Sequence, residues 1–323
     1  MAVSESPARA RFNVTQERVL LVALALALAV LSLTAERFMT VGNLLNQGRL
    51  MTEVALVALP MTFIIITGGI DLSVGSIMGL TAILLGVFWQ NVGLPLPAAV
   101  GLAMLVAAAA GCFNGLLITR VRVPPLIMTL ATLALYRGLA EGISQARSVR
   151  GYPEWFYVLG QGEVLGVPTQ LWILLVAIVI FWIVLSRTTF GRALYAIGHN
   201  ETAARYSAIK VDRIKVIIYS LSGLMSGLAG VIFVSRVSTT RSDMGTGLEL
   251  DVIAAVVLGG TSIFGGVGTI AGTVLGFTLI QLLKNGLALT GVKGDATIVV
   301  IGTVLILSIL ITNFLQHRRG SDG

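Results

Sequence analysis

Apolar residues run through this chain in long stretches, and polar residues gather in the short segments between them. A helix crossing a bilayer needs ~20 apolar residues, or somewhat fewer where it is broken. Ten such spans can be read, over 19–35, 50–67, 74–89, 97–118, 124–143, 169–186, 216–235, 250–264, 267–287 and 296–314. The third and eighth are short and bordered or broken by glycine. The pattern predicts an all-α, polytopic transmembrane helical bundle. A segment over 1–18 precedes a membrane domain over 19–314, and a tail over 315–323 follows it. Ten spans put both termini on the same side.

Composition supports this reading. Hydrophobic residues make up 56% of the chain and charged residues only 11%, with a mean hydropathy of +0.93. A water-facing globule carries about 25% charged residues, so too little polar surface is present to cover one. A disulfide scaffold is excluded as well, because Cys112 is the single cysteine. The 37 glycines suit helices packed closely in lipid, where small residues let backbones approach.

The net charge of +7 bears on orientation more than on partners. Lys and Arg lie in short loops and form no basic patch interleaved with aromatics, so a nucleic-acid partner is not expected. They are commoner in the segments that an inward N-terminus would place inside, above all 187–215, with Arg187, Arg192, Arg205, Lys210, Arg213 and Lys215. The positive-inside rule then predicts a cytoplasmic N-terminus and a cytoplasmic C-terminus in a cell membrane. The first span follows Arg9, Arg11 and Arg18 as a signal peptide would. No small-x-small site follows it at Leu33–Glu36, so an uncleaved helix is expected.

No catalytic constellation is visible. His199 and His317 have no metal-ligand neighbours at usable spacing, and no G-x-x-x-x-G-K-[ST] loop is present to hold a nucleotide. The chain is not expected to be an enzyme, to bind a metal or to carry a cofactor.

Three segments stand out. In the first, TGGIDLSVGS from Thr67 to Ser76, Gly68 and Gly69 interrupt two apolar runs, and Asp71 or Ser73 can cap the helix that starts near Val74. A carboxylate at this depth must face protein or water. The segment is either a broken helix lining a translocation route or a glycine turn with a polar cap. In the second, VLGGTSIFGGVG from Val257 to Gly268, Gly259 and Gly260 parallel the first pair. Gly268, Gly272 and Gly276 fall four apart on one expected helix face, where close packing is the favoured role. The third is the polar stretch 187–215. Asn200 can cap a short helix through Ser207, with Ala203, Ala204 and Tyr206 as a small apolar face. Such a helix outside the bilayer needs a surface to dock on; the other reading is a solvated connector.

Polar residues within spans are further pathway candidates: Glu53, Asn114, Tyr136, Arg137, Glu141, Tyr219, Gln281, Lys284 and Asn285. Arg137 and Glu141, four apart, are spaced to pair.

Taken in order, ITGGIDLSVGS, ALYAIGHNETAARYSAIKV and AVVLGGTSIFGGVGTIAGTVLG resemble the permease subunits of bacterial ABC importers for monosaccharides, the ribose-type family. Ala58-Leu59-Pro60 and the RSDMG stretch at Arg241–Gly245 look closer to its autoinducer-2 and rhamnose branches. The resemblance implies a type II ABC importer-like permease that forms the pathway for a monosaccharide or related small polyol. It implies a second permease copy or paralogue and two cytoplasmic ATPase domains that hold the ATP and Mg. It also implies a periplasmic or lipid-anchored sugar-binding protein that does much of the selecting. The stretch from Gly198 through Asn200, Glu201, Ala203, Ala204 and Tyr206 to Ser207 becomes the coupling helix. Two other mechanisms remain in view. A stand-alone carrier driven by an ion gradient would use Glu53, Asp71 or Glu141, and a passive channel would need a selectivity ring that is not visible.

Overall fold

The computed structural model describes residues 16–292 together with Ala296, Val299, Gly302 and Thr303. Apart from those four residues, the span expected over 296–314 lies outside the described residues, as does the histidine at 317. Eight helices among the described residues are long and apolar enough to cross a membrane. They are α1 (Gln16–Thr34), α2 (Val41–Ile66), α3 (Val74–Gly86, extended by a π turn to Asn91), α4 (Leu96–Leu116, extended likewise to Val121) and α5 (Pro125–Ser144). After α6 (Glu154–Gln161) and a two-residue hairpin, β1 (Glu163–Val164) and β2 (Val167–Pro168), comes α7 (Thr169–Arg187). The short helices α8 (Thr189–His199) and α9 (Glu201–Tyr206) lead to α10 (Val211–Val237). The run closes with α11 (Leu248–Leu258) and α12 (Ile270–Leu289).

Helix ends follow local chemistry. Pro95, Pro124 and Pro168 precede α4, α5 and α7, where proline's fixed φ and missing N–H cost nothing. Thr269 caps α12 by accepting a hydrogen bond from the Gly272 N–H at 2.9 Å. The expected second span gains nine residues at its start, because Thr40 caps it through the Asn43 N–H.

The eighth expected span divides. Its helix, α11, has only 11 residues and rises ~16 Å, about half the ~30 Å hydrocarbon core. The remainder is supplied by the non-helical segment before it, a run of turns over 242–247. A Cβ on Gly86 would lie 3.3 Å from Thr240, one on Gly79 would lie 2.8 Å from the Met244 carbonyl, and one on Gly75 would overlap the Gly245 carbonyl. Residues 240–245 therefore run antiparallel down α3 for eleven helical residues, ~16 Å at 1.5 Å per residue.

The bundle is built around α10, whose Ser222, Ser226 and Ser235 are fully buried. It lies along α4 at backbone distance: a Cβ on Gly111 would overlap the Tyr219 carbonyl, and one on Gly223 would overlap the Ala107 carbonyl. α2 is almost wholly enclosed beyond Thr52. The outer helices keep apolar faces exposed, as Leu126, Ile127 and Leu130 on α5 and Val176, Val179 and Ile180 on α7 do. That is the distribution a lipid solvent requires.

The expected glycine face of α12 is partly revised. Gly268 precedes the helix and faces Thr261 and Ile66, so only Gly272 and Gly276 lie on it. A Cβ on Gly272 would overlap the Gly259 carbonyl, and one on Gly276 the Ala255 carbonyl. Gly272→Leu is expected to destabilise the protein by at least ~1–3 kcal/mol, the usual overpacking cost. Gly101→Leu, with nothing within 4 Å of its Cβ, should leave the thermal unfolding temperature unchanged.

Candidate functional site

The stretch 187–215 folds as α8 and α9. Thr188 starts α8 by accepting from the Gly191 N–H at 3.2 Å. Asn200 ends α8 and caps α9, its Oδ1 accepting from the Ala203 N–H at 2.9 Å. Glu201 accepts from Arg205 at 2.8 Å and from Lys215 at 2.6 Å, and Arg205 also reaches Asp212 at 2.6 Å. Burial pushes the Glu201 carboxyl up, but the hydrogen bonds from Lys215 and Arg205 outweigh it and hold the group below its ordinary value. The network is thus formed at neutral pH and lost only as pH falls through that lowered value.

The apolar face expected on α9 splits in two. Ala204 turns inward and packs with Ile197 and Val211. Ala203 and Ser207 remain exposed, and Tyr206 stands 89% exposed. The outward surface is therefore Ala203 with Tyr206.

The end of α8 is wedged between the break at Gly68–Gly69 and a second break at Gly265–Gly266, in the segment 257–268. A Cβ on Gly198 would overlap the Ile66 carbonyl on one side and the Gly266 N–H on the other. The Gly266 N–H donates to that same Ile66 carbonyl at 2.9 Å, and the Tyr195 hydroxyl donates to the Gly268 carbonyl at 2.7 Å. Gly68 and Gly266 both have φ of +76°, a conformation that favours glycine. The two breaks and α8 thus meet at one backbone junction. Gly259 and Gly260 lie at the end of α11, Gly259 against Gly272 on α12.

Beyond the first break lies a buried polar network. Asp71 is fully buried and does not cap α3 directly. Its Oδ1 accepts from the Ser73 N–H at 3.0 Å and the Ser73 hydroxyl at 2.6 Å, and its Oδ2 from the Ser222 hydroxyl of α10 at 2.9 Å. The Asn114 amide of α4 donates to Ser73 Oγ at 2.8 Å. Tyr136 of α5 donates to the Ala110 carbonyl at 3.0 Å, and Thr129 to the Ile70 carbonyl at 3.2 Å. Every carboxylate contact in this set is a hydrogen-bond donor, which is the condition for burying the group. The segment is pinned to α4, α5 and α10 together.

Arg137 does not pair with Glu141 as its spacing allows. Its guanidinium donates to the Met244 carbonyl at 2.9 Å and to the Ser242 carbonyl, supplying partners to a run of turns that belongs to no helix or sheet. Arg137→Ala would leave two carbonyls unmet, at ~1–3 kcal/mol each. The purified variant should unfold at lower temperature and become protease-sensitive between Thr240 and Gly247.

This segment borders a cavity of about 420 Å³. Glu53 of α2 accepts from Arg236 of α10 at 2.8 Å, Arg241 pairs with Asp243 at 2.5 Å, and Asp251 accepts from Lys284 of α12 at 2.6 Å. Arg236 also lies 4.7 Å from the centre of the Phe233 ring. Of these residues the sequence pointed only to Glu53 and Lys284. Arg236, Arg241 and Asp243 fall between the expected spans and Asp251 at the start of the eighth, and their common cavity depends on how residues 240–247 fold back into the bundle. Gly111 and Gly115, with Gly223 and Gly227, carried a usable signal in their spacing of four. Gln281 bonds Gln47 at 2.7 Å and Asn285 bonds Asn43 at 3.1 Å, both as interhelical ties.

A bundle of crossing helices broken at two glycine pairs, with a polar helical loop wedged between the breaks, defines a multi-pass membrane permease. The profile of the family described as branched-chain amino acid transport system / permease component matches residues 43–309, and the chain belongs to that family. It is 41% identical over 305 residues to the ribose import permease protein RbsC of Escherichia coli strain K12, covering 92% of this chain and 93% of the relative. Identity to RbsC of Bacillus subtilis strain 168 is 43% over 285 residues, 87% and 88% of the two chains. Identity to the autoinducer 2 import system permease protein LsrD of Yersinia enterocolitica is 37% over 302 residues, 92% and 91%. No solved structure matches the chain.

Proposed function

We propose that this chain is the membrane permease subunit of an ATP-binding-cassette importer for a monosaccharide or related small polyol, of the ribose, rhamnose or autoinducer-2 class. Its membrane is the bacterial inner membrane, with both termini and the α8–α9 loop in the cytoplasm. It works as a pair with a second copy or a paralogue, beneath a periplasmic or lipid-anchored binding protein and above two ATPase domains that hold ATP and Mg. Relatives named for ribose and autoinducer-2 import support the cargo class.

The observation that carries this reading is the α8–α9 element. A capped helix outside the bilayer turns Ala203 and Tyr206 outward, while its preceding turn touches both glycine breaks through Gly198. Movement imposed by a partner on α9 would reach the two breaks through backbone contact alone. A carrier driven by an ion gradient has no use for that linkage.

The test is uptake of labelled ribose, rhamnose and autoinducer-2 into proteoliposomes, leaving out ATPase, binding protein and ATP in turn. Uptake should need all three; uptake by the permease alone would overturn the reading. Ala203→Glu places a charge in the docking surface without touching the inner packing of Ala204. A loss of ~2 kcal/mol at such a contact lowers ATPase association more than ~10-fold, with membrane insertion unchanged.

A further inference from the structure

We infer that the cavity between α2, α10 and residues 241–251 is the site through which the cargo passes, and that it is built for an uncharged, polyhydroxylated molecule. The inference rests on the importer reading and assigns that function its residues.

The first argument is depth. Residues 240–245 descend along α3 from Gly86 to Gly75, yet Arg241 and Asp243 keep side-chain exposures of 62% and 58%. Glu53 lies midway along the 26-residue α2. Charges at such depth face either protein or a water-filled route, never lipid. Non-helical backbone at membrane depth is likewise tolerated only where it is enclosed or lines a cavity.

The second argument is charge. Arg236 with Glu53, Arg241 with Asp243 and Lys284 with Asp251 each form an ion pair at 2.5–2.8 Å. The charged side chains of the wall are Glu53, Arg236, Arg241, Asp243 and Asp251, and each is already paired, Asp251 by Lys284 from behind the lining, so no unpaired charge is left with which to select an anion or a cation. An amino-acid zwitterion would meet no unpaired charge of either sign there. Paired carboxylates keep spare acceptor lone pairs, and arginines keep spare donors in a planar fork. Neighbouring hydroxyls, each donor and acceptor at once, can use both without disturbing the pairs. The volume of about 420 Å³ falls within the ~300–1,000 Å³ typical of small-ligand sites.

The test replaces Asp243 by cysteine in a Cys112→Ala background and reconstitutes the permease with its ATPase and binding protein. A charged, membrane-impermeant methanethiosulfonate reagent is added during ATP turnover, with ribose, rhamnose or L-leucine. Labelling should slow ~5-fold or more with a sugar and remain unchanged with leucine, the extent expected when a bound ligand covers the site most of the time. Protection by leucine alone would overturn the cargo class, and protection by none of the three would overturn the site. In parallel, Asp243→Asn should lower sugar uptake ~10-fold, the loss expected for a hydrogen bond to a charged group, while ATP hydrolysis continues. Unchanged uptake would also overturn the site. Labelling is read on the permease itself. Wild-type uptake that ignores ATP would instead strike the importer reading and leave the labelling result standing.

Discussion

Replacing Gly198 by valine is expected to separate ATP hydrolysis from transport. The first added carbon would overlap the Ile66 carbonyl and the Gly266 N–H together. Neither neighbour is a flexible side-chain end that can swing aside. Either α8 withdraws from the junction or the two breaks part, and the Gly266–Ile66 hydrogen bond of 2.9 Å is lost. Overpacking of this kind costs ~1–3 kcal/mol, and 1.36 kcal/mol in a rate-limiting conformational step is already tenfold. Uptake by reconstituted transporter should fall ~10-fold or more while the ATPase continues to turn over. Gly142→Val on α5, whose Cβ meets nothing within 4 Å, should transport normally. Normal uptake by Gly198→Val would show that α8 does not transmit movement at this point.

Asp71→Ala is expected to be among the most destabilising single substitutions in the chain. Three donors converge on this carboxylate, from the Ser73 N–H, the Ser73 hydroxyl and the Ser222 hydroxyl, and alanine leaves all of them buried without an acceptor. At ~1–3 kcal/mol for each unmet group, with incomplete additivity, a loss of about 3 kcal/mol or more is expected. Asp71→Asn should cost less, because its amide oxygen can still take the Ser73 donors and the Ser222 hydroxyl can turn to accept from the new N–H. Thermal unfolding of the purified protein ranks the three forms. Asp71→Asn that still transports would also exclude a proton-carrying role for this residue. An Asp71→Ala protein as stable as wild type would show that the network does not hold the first break in place.

What the sequence revealed depended on how local the cause was. Long apolar runs report crossing helices directly, because the bilayer sets their length. Asn200 reports the start of α9, because a cap is made within three residues. The inward turn of Ala204 is set by Ile197 and Val211, and no property of ETAARY distinguishes Ala203 from Ala204. Helix α6 was missed because eight residues are too few for a span; it holds its place through Phe156, which is fully buried, and Gly160 against the backbone of Arg236. The cavity was the least legible feature of all. Its charges come from α2, α10, α11 and a segment held by a guanidinium more than a hundred positions away. RSDMG marked a branch of the family in the sequence, but only the fold gives it a place in the wall.

The way Arg137 holds that segment has a consequence for descent. It bonds the main-chain oxygens of Ser242 and Met244, which every amino acid presents alike, and the close approach is made by Gly75, Gly79 and Gly245. The frame therefore places few demands on the side chains at 241 and 243, which stand free of it. Such a segment can trade residues during evolution without refolding, much as an interchangeable bit fits one handle. A family built on this scaffold could change cargo by altering two or three positions while the machinery that moves it stays untouched.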